Sequence, residues 1–200
     1  MKRRTLSLVL VAMAFFAAFP NKSSAAGPVR FSLAAAMKRC TNPSRKFAFV
    51  ATNYGAGGTT PLSPVAGATC EFALPVNAGN LDNEPAVAQE PLPLSHQYIY
   101  FSDDWWNILE IVWTAPANGS ITISSKFADL AGDNHVGFFL GGVYFGGGGT
   151  FGSTTTNPAV YNFGTMAVTK GEQMILNFNV EGCCTGNGLA SMDIYFTRTK

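Results

Sequence analysis

The residues best suited to chemistry form the segment Ser102–Asn107, in which two acidic residues precede two tryptophans. Sugar rings present apolar C–H faces that stack on tryptophan, and carboxylates accept hydrogen bonds from sugar hydroxyl groups. Trp105 and Trp106 could therefore form a platform for a carbohydrate, with Asp103 and Asp104 as its hydrogen-bonding partners. The alternative is that one tryptophan, Trp106 in the simplest case, packs into the core.

The two adjacent aspartates do not by themselves indicate a hydrolase. A glycosidase needs two carboxyl groups about 5–9 Å apart across a cleft, whereas neighbouring residues of a strand point to opposite faces. The chain also lacks the GxSxG, P-loop and HExxH motifs, and its two histidines are His96 and His135. These features favour a non-catalytic protein, and an extracellular hydrolase is the alternative.

A second polar segment could hold a metal ion. Asp129, Asp133 and Asn134 lie within six residues of one another in a turn-like stretch. Calcium prefers six to eight oxygen ligands, and side-chain and backbone oxygens of such a turn can supply several of them. The segment therefore predicts a structural calcium ion that braces a loop, although the spacing differs from that of an EF-hand. The alternative is a polar turn without metal, and no other cofactor is predicted.

The first 26 residues have the pattern of a secretory signal peptide. A basic start, Lys2–Arg4, precedes the apolar run Leu6–Ala18, and small residues then lead to Ala26. This pattern predicts export, cleavage near Ala26 and a single mature domain spanning residues 27–200. No later apolar run is long enough to span a membrane.

Cysteine usage agrees with an extracellular protein. The exported chain would enter an oxidising compartment, so its four cysteines are expected to form disulfides: Cys40, Cys70, Cys183 and Cys184. We favour the pair Cys40–Cys70, which leaves Cys183–Cys184 as a vicinal pair. In the alternative pairing, Cys183 and Cys184 bond separately to Cys40 and Cys70.

The charge of the chain argues against a nucleic-acid partner and is compatible with self-assembly. After removal of the predicted signal peptide, nine basic and twelve acidic residues remain, a formal net charge of −3. Nucleic-acid binding requires a positive surface, so it is not expected. Charged residues make up 12% of the chain, against an average of about 25%. A surface of low charge would also suit a subunit of a surface layer, filament or matrix that self-assembles through strand edges.

The second half of the chain, residues 108–198, alternates apolar and polar side chains between Gly- or Asn-rich turns. Such alternation predicts short antiparallel strands, about nine in all, and hence an all-β, jelly-roll-like β-sandwich. Asn118–Gly119 and Gly141–Gly142 predict hairpins, and Gly146–Gly149 predicts a flexible loop.

The first half is less regular, and residues 27–97 suggest no role. Ser32–Arg39 is predicted to form one short helix capped by Ser32, and Lys46–Asn53 a strand. Gly55–Pro64 is predicted to be a loop, and the proline-rich stretch 75–95 a long surface connection.

Several segments resemble a jelly-roll module of bacterial secreted proteins, many of which carry a PEP-CTERM-type tail. The segments that carry the resemblance lie within residues 108–198: Ile111–Gly119, Ile121–Ser124, Phe127–Leu130, Gly141–Val143 and Lys170–Glu172 with Phe178 and Val180. The resemblance implies a β-sandwich similar to carbohydrate-binding modules and implies no known chemistry. The sequence thus favours a secreted, non-catalytic β-sandwich that binds an extracellular ligand, with a carbohydrate as the favoured ligand.

Overall fold

The architecture is taken from a computed structural model of the 200-residue chain. It describes residues 27–44, 46–53, 58–68, 70–73, 86–89, 98–104, 107–131, 134–150, 152–180 and 185–199. Several sequence predictions fall on residues outside these ranges: the signal peptide at residues 1–26, His96, Trp105, Trp106, Asp133, Cys183 and Cys184.

The described residues form fourteen strands and one short helix. In chain order they are β1 Val29–Ser32, α1 Leu33–Met37, β2 Phe47–Asn53, β3 Thr59–Pro61, β4 Ser63–Pro64, β5 Glu71–Ala73, β6 Ala86–Gln89, β7 Ile99–Asp104, β8 Asn107–Thr114, β9 Gly119–Ala131, β10 Asn134–Leu140, β11 Val143–Gly149, β12 Ala159–Val168, β13 Gln173–Val180 and β14 Thr185–Arg198.

The strands form two antiparallel sheets. Sheet I has the order β12-β9-β14-β7-β6-β5-β4, and β1 also pairs with β14; sheet II has the order β11-β10-β13-β8-β2-β3. The predicted all-β, antiparallel β-sandwich with a short N-terminal helix is therefore confirmed. Among the described residues, no helix has the length and apolar composition needed to cross a membrane.

Aromatic side chains from the two sheets meet in the core. Phe101 of sheet I lies 4.1 Å, between ring centroids, from Phe178 of sheet II. Phe127 of sheet I makes edge-to-face contacts with Phe138 and Phe178. Trp113 of sheet II is fully buried, as its alternation with other apolar residues on β8 predicts. These contacts fix the two layers face to face, since interdigitated side chains fill the space between them.

The predicted hairpin at Asn118–Gly119 is wrong. The turn lies where predicted, but β8 belongs to sheet II and β9 to sheet I, so the chain changes sheets here. Gly119 is needed for a different reason, because a Cβ at this position would lie 2.3 Å from the carbonyl oxygen of Thr197 on β14. The glycine permits close strand approach rather than a tight hairpin turn.

The predicted loop at Gly146–Gly149 is also wrong, because these glycines continue β11 and pair with β10 as far as His135. Aromatic side chains take the space that their missing side chains leave. A Cβ at Gly146 would lie 2.5 Å from the ring of Phe163, and one at Gly149 would lie 3.3 Å from the ring of His135. Packing of these rings keeps the segment in an extended conformation, although its composition favours a loop.

Strand pairing corrects two further predictions of irregular structure. The predicted loop Gly55–Pro64 contains the short strands β3 and β4, and the predicted connection 75–95 contains β6. These strands have three, two and four residues. They are too short to show a periodic pattern, and their pairing with neighbours in the sheet defines them.

The helix α1 matches its prediction at the N-terminus and ends before the predicted Arg39. The Ser32 side chain accepts a hydrogen bond from the backbone N–H of Ala35 at 3.5 Å, as an N-cap does. Leu33 and Met37 are buried in the core. The helix therefore packs against strands of sheet I, including β1 and β14.

The predicted disulfide Cys40–Cys70 is confirmed, with a Cα–Cα distance of 4.5 Å. It joins the segment after α1 to the start of β5 and closes a loop across a sequence separation of 30 residues. Whether Cys183 and Cys184 pair with each other stays a prediction, because both lie outside the described residues.

We expect the double variant Cys40→Ser, Cys70→Ser to lose about 3 kcal/mol in the free energy of unfolding, because the cross-link restricts the unfolded chain. Urea denaturation of the two oxidised proteins measures this loss. Substitution is preferable to a reductant, which would also break the disulfide predicted for Cys183 and Cys184. Equal urea midpoints for the two proteins would contradict a stabilising role for this disulfide.

Candidate functional site

Strands of both sheets end together at one end of the sandwich, here called the loop end. The chain passes from sheet I to sheet II between Asp104 and Asn107, and again between Ala131 and Asn134. It returns to sheet I between β13 and β14. Because each of these connections is two to four residues long, the strand ends that flank it must be close in space.

The structure brings the backbones of the acidic pair and of the predicted calcium segment to this end. β7 extends through Asp104, so both aspartates belong to a strand rather than to a turn. Asp103 pairs with Gly186 of β14, and the next residue of β14, Asn187, pairs with Ala131 of β9. Since neighbouring strands are about 4.8 Å apart, roughly 10 Å separate β7 from β9 here.

Five residues with predicted roles lie outside the described residues: Trp105, Trp106, Asp133, Cys183 and Cys184. The strands that flank them in sequence end at the loop end. Their roles therefore stay predictions. Asp103 and Asp104 are described only as backbone positions of β7, so their roles also stay predictions.

Asn134 is the polar centre of the described part of the loop end. Asn134 is 1% exposed. Its side-chain Nδ2 donates to the carbonyl oxygens of Ala131 and Asn187, at 3.1 Å each. The carboxylate of Asp129 lies within hydrogen-bond distance of the same nitrogen, so three oxygen acceptors share its two N–H groups. The side-chain Oδ1 of Asn134 is buried without a hydrogen-bond partner.

Backbone groups of Asn134 complete this network. Its carbonyl oxygen accepts hydrogen bonds from both the backbone N–H and the hydroxyl of Thr150, at 2.9 and 3.2 Å. The backbone N–H of Asp129 donates to the hydroxyl of Ser153 at 3.1 Å. One asparagine therefore joins β9, β10, β14 and the segment after β11.

Asp129 and Asn134 are the two described residues of the predicted calcium segment, and they are in contact. The Asp129 carboxylate and the Ala131 and Asn187 carbonyls face the amide nitrogen of Asn134, and the unpartnered Asn134 Oδ1 is a further acceptor. Calcium needs six to eight oxygens. Among the described residues no three His, Cys, Asp or Glu side chains form a group that could hold a metal. Any calcium ion would therefore depend on Asp133 or on water for its remaining ligands.

A second candidate surface is the outer face of sheet II. On β10 the residues facing outward are His135, Gly137 and Phe139, as the alternation of buried and half-buried positions indicates. Phe139 and Tyr144 of β11 are paired in register and form an edge-to-face contact of 5.4 Å between ring centroids. Tyr144 is 56% exposed, which makes it the most exposed aromatic side chain of the described residues.

Gly137 makes room for this aromatic pair. A Cβ there would lie 3.1 Å from the ring of Phe139 and 3.7 Å from that of Tyr144. The two rings therefore lean over the glycine instead of standing clear of the sheet. A low aromatic surface of this kind suits stacking with a flat apolar ligand face.

Polar side chains continue the surface on the next two strands. Asn177 of β13 pairs in register with Gly137 on one side and with Glu110 of β8 on the other. Its Nδ2 lies 3.5 Å from the Glu110 carboxylate. Asn179 lies opposite His135, one step nearer the loop end. From Phe139 to His135 the strip measures about 13 Å along the strand.

The aromatic cluster beneath this surface continues onto β12. Tyr161 contacts Phe127 and Phe138, and its hydroxyl donates to the carbonyl oxygen of Gly149 at 3.3 Å. Burial raises the pKa of Tyr161, and the nearby Tyr144 phenol raises it further. This phenol is therefore neutral and acts as a hydrogen-bond donor at physiological pH.

Sequence reasoning missed the outer-face residues, although one signal was available. His135, Gly137 and Phe139 alternate with the buried Val136 and Phe138, so an aromatic residue stands on each face of β10. Asn177 and Asn179 alternate similarly with core residues of β13. Alternation alone could not show that these outward positions adjoin Tyr144 and Glu110, because that depends on strand order.

Comparisons with known proteins give no family assignment. No protein-family model matches the chain, so the resemblance to modules of PEP-CTERM-type proteins has no support. No curated protein matches the chain.

Solved structures give partial likenesses, and carbohydrate-binding modules are among them. The CBM22-1 xylan-binding domain of Xyn10C from Paenibacillus barcinonensis has a TM-score of 0.38 and 13% identity, covering 75% of this chain and 94% of that one. Carbohydrate-binding module CBM36, in complex with calcium and xylotriose, has a TM-score of 0.37 and 19% identity, covering 56% and 87%.

The C-terminal CBM6 of LamC, a marine laminarinase from Zobellia galactanivorans, has a TM-score of 0.35 and 16% identity, covering 55% of this chain and 87% of that one. Each TM-score is below 0.5 and each identity is below 25%. The function proposed for this chain therefore rests on the residues of its own surfaces.

Proposed function

We propose that the chain is a secreted, non-catalytic β-sandwich that binds an extracellular carbohydrate. The observation that supports this most directly is the outer face of sheet II. There an exposed tyrosine and a half-buried phenylalanine adjoin a strip of amide and carboxylate side chains.

The aromatic pair would supply the apolar part of the binding energy. The exposed ring of Tyr144, held against Phe139, offers a π-face to the C–H side of a sugar ring. Both rings are restrained by packing, so binding loses little of their conformational freedom. The phenol hydroxyl of Tyr144 adds a donor and an acceptor at the edge of the platform.

The polar strip would supply orientation. Asn177 and Asn179 each offer an amide with donors and an acceptor, and Glu110 offers carboxylate oxygens. Sugar hydroxyl groups both donate and accept, so mixed amide and carboxylate partners match them. The long hydrogen bond of 3.5 Å between Asn177 and Glu110 leaves these groups able to exchange it for bonds to a ligand.

The loop end would be a second contact surface for the same ligand. There Trp105 and Trp106 would stack on a sugar ring, and Asp103 and Asp104 would accept hydrogen bonds from its hydroxyls. The position of the strand ends that flank the tryptophans supports this proposal. So does the course of the polar strip, which approaches the loop end at His135.

A structural calcium ion at the loop end is part of the proposal. Asp129, Asn134 and Asp133 would hold it together with backbone carbonyl oxygens, and it would brace the connection between β9 and β10. Calcium would thereby stabilise the fold and would take no part in a reaction.

Binding to polysaccharides tests the proposed function. We expect Tyr144→Ala to lower the affinity for the bound glycan about tenfold, because it removes one stacking platform worth roughly 1–1.5 kcal/mol. A glycan array would identify the ligand, and isothermal titration calorimetry would then compare the variants. For a neutral glycan, Tyr195→Ala is the matched control, since Tyr195 is also exposed, at 37%, but lies on sheet I.

The double variant Trp105→Ala, Trp106→Ala separates the two surfaces. Loss of binding in this variant with retention in Tyr144→Ala would place the site at the loop end and not on the outer face of sheet II. If the wild-type protein binds no glycan on a broad array, the proposed function is wrong.

A further inference from the structure

A basic pocket lies on the outer face of sheet I, on the side of the sandwich opposite Tyr144. It is a cavity of about 300 Å³ where β1, α1, β9 and β14 meet. Three of the nine basic residues that follow the predicted signal peptide line it: Arg30, Lys38 and Lys126. Its single acidic lining residue is Asp193.

The strand register explains why these side chains converge. Asp193 of β14 pairs with Ser32 of β1 on one side and with Ser124 of β9 on the other. Two positions back along β14, Ser191 pairs with Lys126. The polar positions of three neighbouring strands thus form two adjacent rows on the outer face, and they border the cavity beside α1.

Arg30 and Asp193 form a fixed ion pair at the edge of the pocket. Arg30 donates from Nε and from one terminal nitrogen to the two carboxylate oxygens, at 2.9 and 2.8 Å. These hydrogen bonds, together with the opposite charges, raise the pKa of Arg30 above its ordinary value. The two bonds use two of the five N–H donors of the guanidinium group, so donors remain for a ligand.

The two lysines leave the pocket positive. Both Lys38 and Lys126 are exposed, and within the part of the chain that the structure describes neither forms an ion pair. With Arg30 offset by Asp193, the lining carries a formal net charge of +2. This contrasts with the formal net charge of −3 that residues 27–200 carry as a whole.

We propose that this pocket binds the negatively charged group, carboxylate or sulfate, of an acidic glycan. The inference rests on the proposed function for the class of ligand and adds the charge of that ligand. Lys38 and Lys126 pair with the anionic group, and Arg30 contributes a further donor.

The remaining lining residues match the uncharged part of such a ligand. The hydroxyls of Ser32 and Ser191 donate to or accept from sugar hydroxyls, and the Asp193 carboxylate accepts from them. Because the side chains of Ala34 and Ala35 are small, they leave space in the cavity for a sugar ring. Hydroxyl groups beside the cations favour an acidic sugar over a bare phosphate, and the formal net charge of −3 that residues 27–200 carry disfavours a nucleic acid.

Titration with defined polysaccharides tests the inference. Polygalacturonate is the carboxylated probe, dextran sulfate the sulfated probe and xylan the neutral probe. We expect wild-type protein to bind at least one acidic probe more tightly than xylan, and 0.5 M NaCl to weaken that binding because salt screens exposed charges. We expect Lys38→Gln, Lys126→Gln to lower the affinity for that probe about tenfold or more.

Matched single variants exclude an effect of overall charge. Lys126→Gln and Lys170→Gln remove the same charge, but Lys170 lies in the exposed turn before β13 and does not line the pocket. The pocket is supported if Lys126→Gln lowers the affinity several-fold and Lys170→Gln does not. Equal effects of the two substitutions would indicate diffuse attraction of a polyanion and would overturn the inference.

Two further outcomes separate this inference from the proposed function. If wild-type protein binds xylan or another neutral glycan through Tyr144 but neither acidic probe, the pocket inference is wrong and the proposed function stands. If it binds an acidic probe through Lys126 and Tyr144→Ala has no effect, the pocket inference stands and the outer-face site is wrong. Chemical-shift changes at Ser32, Lys126 and Ser191 on adding galacturonate would locate the pocket independently of affinity.

Discussion

Replacing Phe178 by alanine is expected to lower the free energy of unfolding by about 3–5 kcal/mol, the usual cost of removing a large buried aromatic side chain. Phe178 is fully buried. Its ring lies 4.1 Å from that of Phe101 and 5.9 Å from that of Phe127, both on the opposite sheet. The substitution would leave a cavity where the two layers meet, and both neighbours belong to strands that cannot move in to fill it without losing backbone hydrogen bonds.

Urea denaturation measures this effect, and two variants control it. Phe178→Leu retains much of the buried volume and should lose substantially less. Tyr195→Ala removes a partly exposed aromatic side chain from the outer face of sheet I and should change stability by about 0.5 kcal/mol or less. A loss below about 1 kcal/mol for Phe178→Ala would be incompatible with Phe178 packing between the sheets.

Asn134→Asp is expected to destabilise the protein by about 3–5 kcal/mol at pH 7 in the absence of calcium. The substitution turns a buried donor into an anion among three oxygen acceptors, the Asp129 carboxylate and the carbonyls of Ala131 and Asn187. A buried charge without a compensating partner typically carries a cost of this size. Repulsion from Asp129 adds to it.

The pH dependence of this loss follows from the sign of the pKa shift. Burial and the neighbouring carboxylate raise the folded-state pKa of the new carboxyl group above its unfolded value of about 4. The loss in the free energy of unfolding, relative to wild type, is therefore largest above the folded-state pKa. It decreases as the pH falls through that value toward about 4. Urea midpoints of the variant and of wild type between pH 4 and pH 8 would measure it.

Asn134→Ala is the matched control, because it removes the same hydrogen bonds without adding a charge. It should lose about 3 kcal/mol with no comparable dependence on pH. Adding calcium distinguishes a calcium site at this position from a polar turn without metal. If Asp129 and position 134 can bind calcium, 5 mM CaCl2 should restore stability to Asn134→Asp but not to Asn134→Ala. No restoration in either variant would argue against a calcium ion here.

The alternation of apolar and polar residues predicted the strands of the second half well. On β13 the buried residues Met174, Leu176 and Phe178 lie on one face, as the pattern requires. The short helix after Ser32 was also predictable, because its cap and its alanines act within a few residues. Cys40–Cys70 could be favoured for a similar reason, since both cysteines lie in the same half of the chain.

Predictions that depended on strand order failed. Asn118–Gly119 has the composition of a hairpin turn, yet it joins two sheets, because β8 pairs with β13 and β2 while β9 pairs with β14 and β12. Gly146–Gly149 has the composition of a loop, yet it forms a strand because aromatic rings such as that of Phe163 pack over it. Local propensity gave way to tertiary contacts at both places.

The candidate surfaces differ in how far they could be predicted. The acidic and aromatic residues at 103–106 form a single run, so the sequence marks them as a possible binding segment. The outer face of sheet II combines Tyr144, Asn177 and Glu110 from three strands. The basic pocket combines Lys38 with Lys126, which are 88 residues apart in the sequence. Neither set has a spacing that could identify it.

The sequence by itself therefore determined the class of fold, the alternation of buried and exposed positions, and the helix cap at Ser32, since each depends on interactions between residues near one another in the chain or on a repeat of two. The tertiary structure alone decided which strands are neighbours, and hence which exposed side chains share a surface. Backbone hydrogen bonds form between any pair of strands, so the choice of partners depends on how side chains fill the core across long sequence separations.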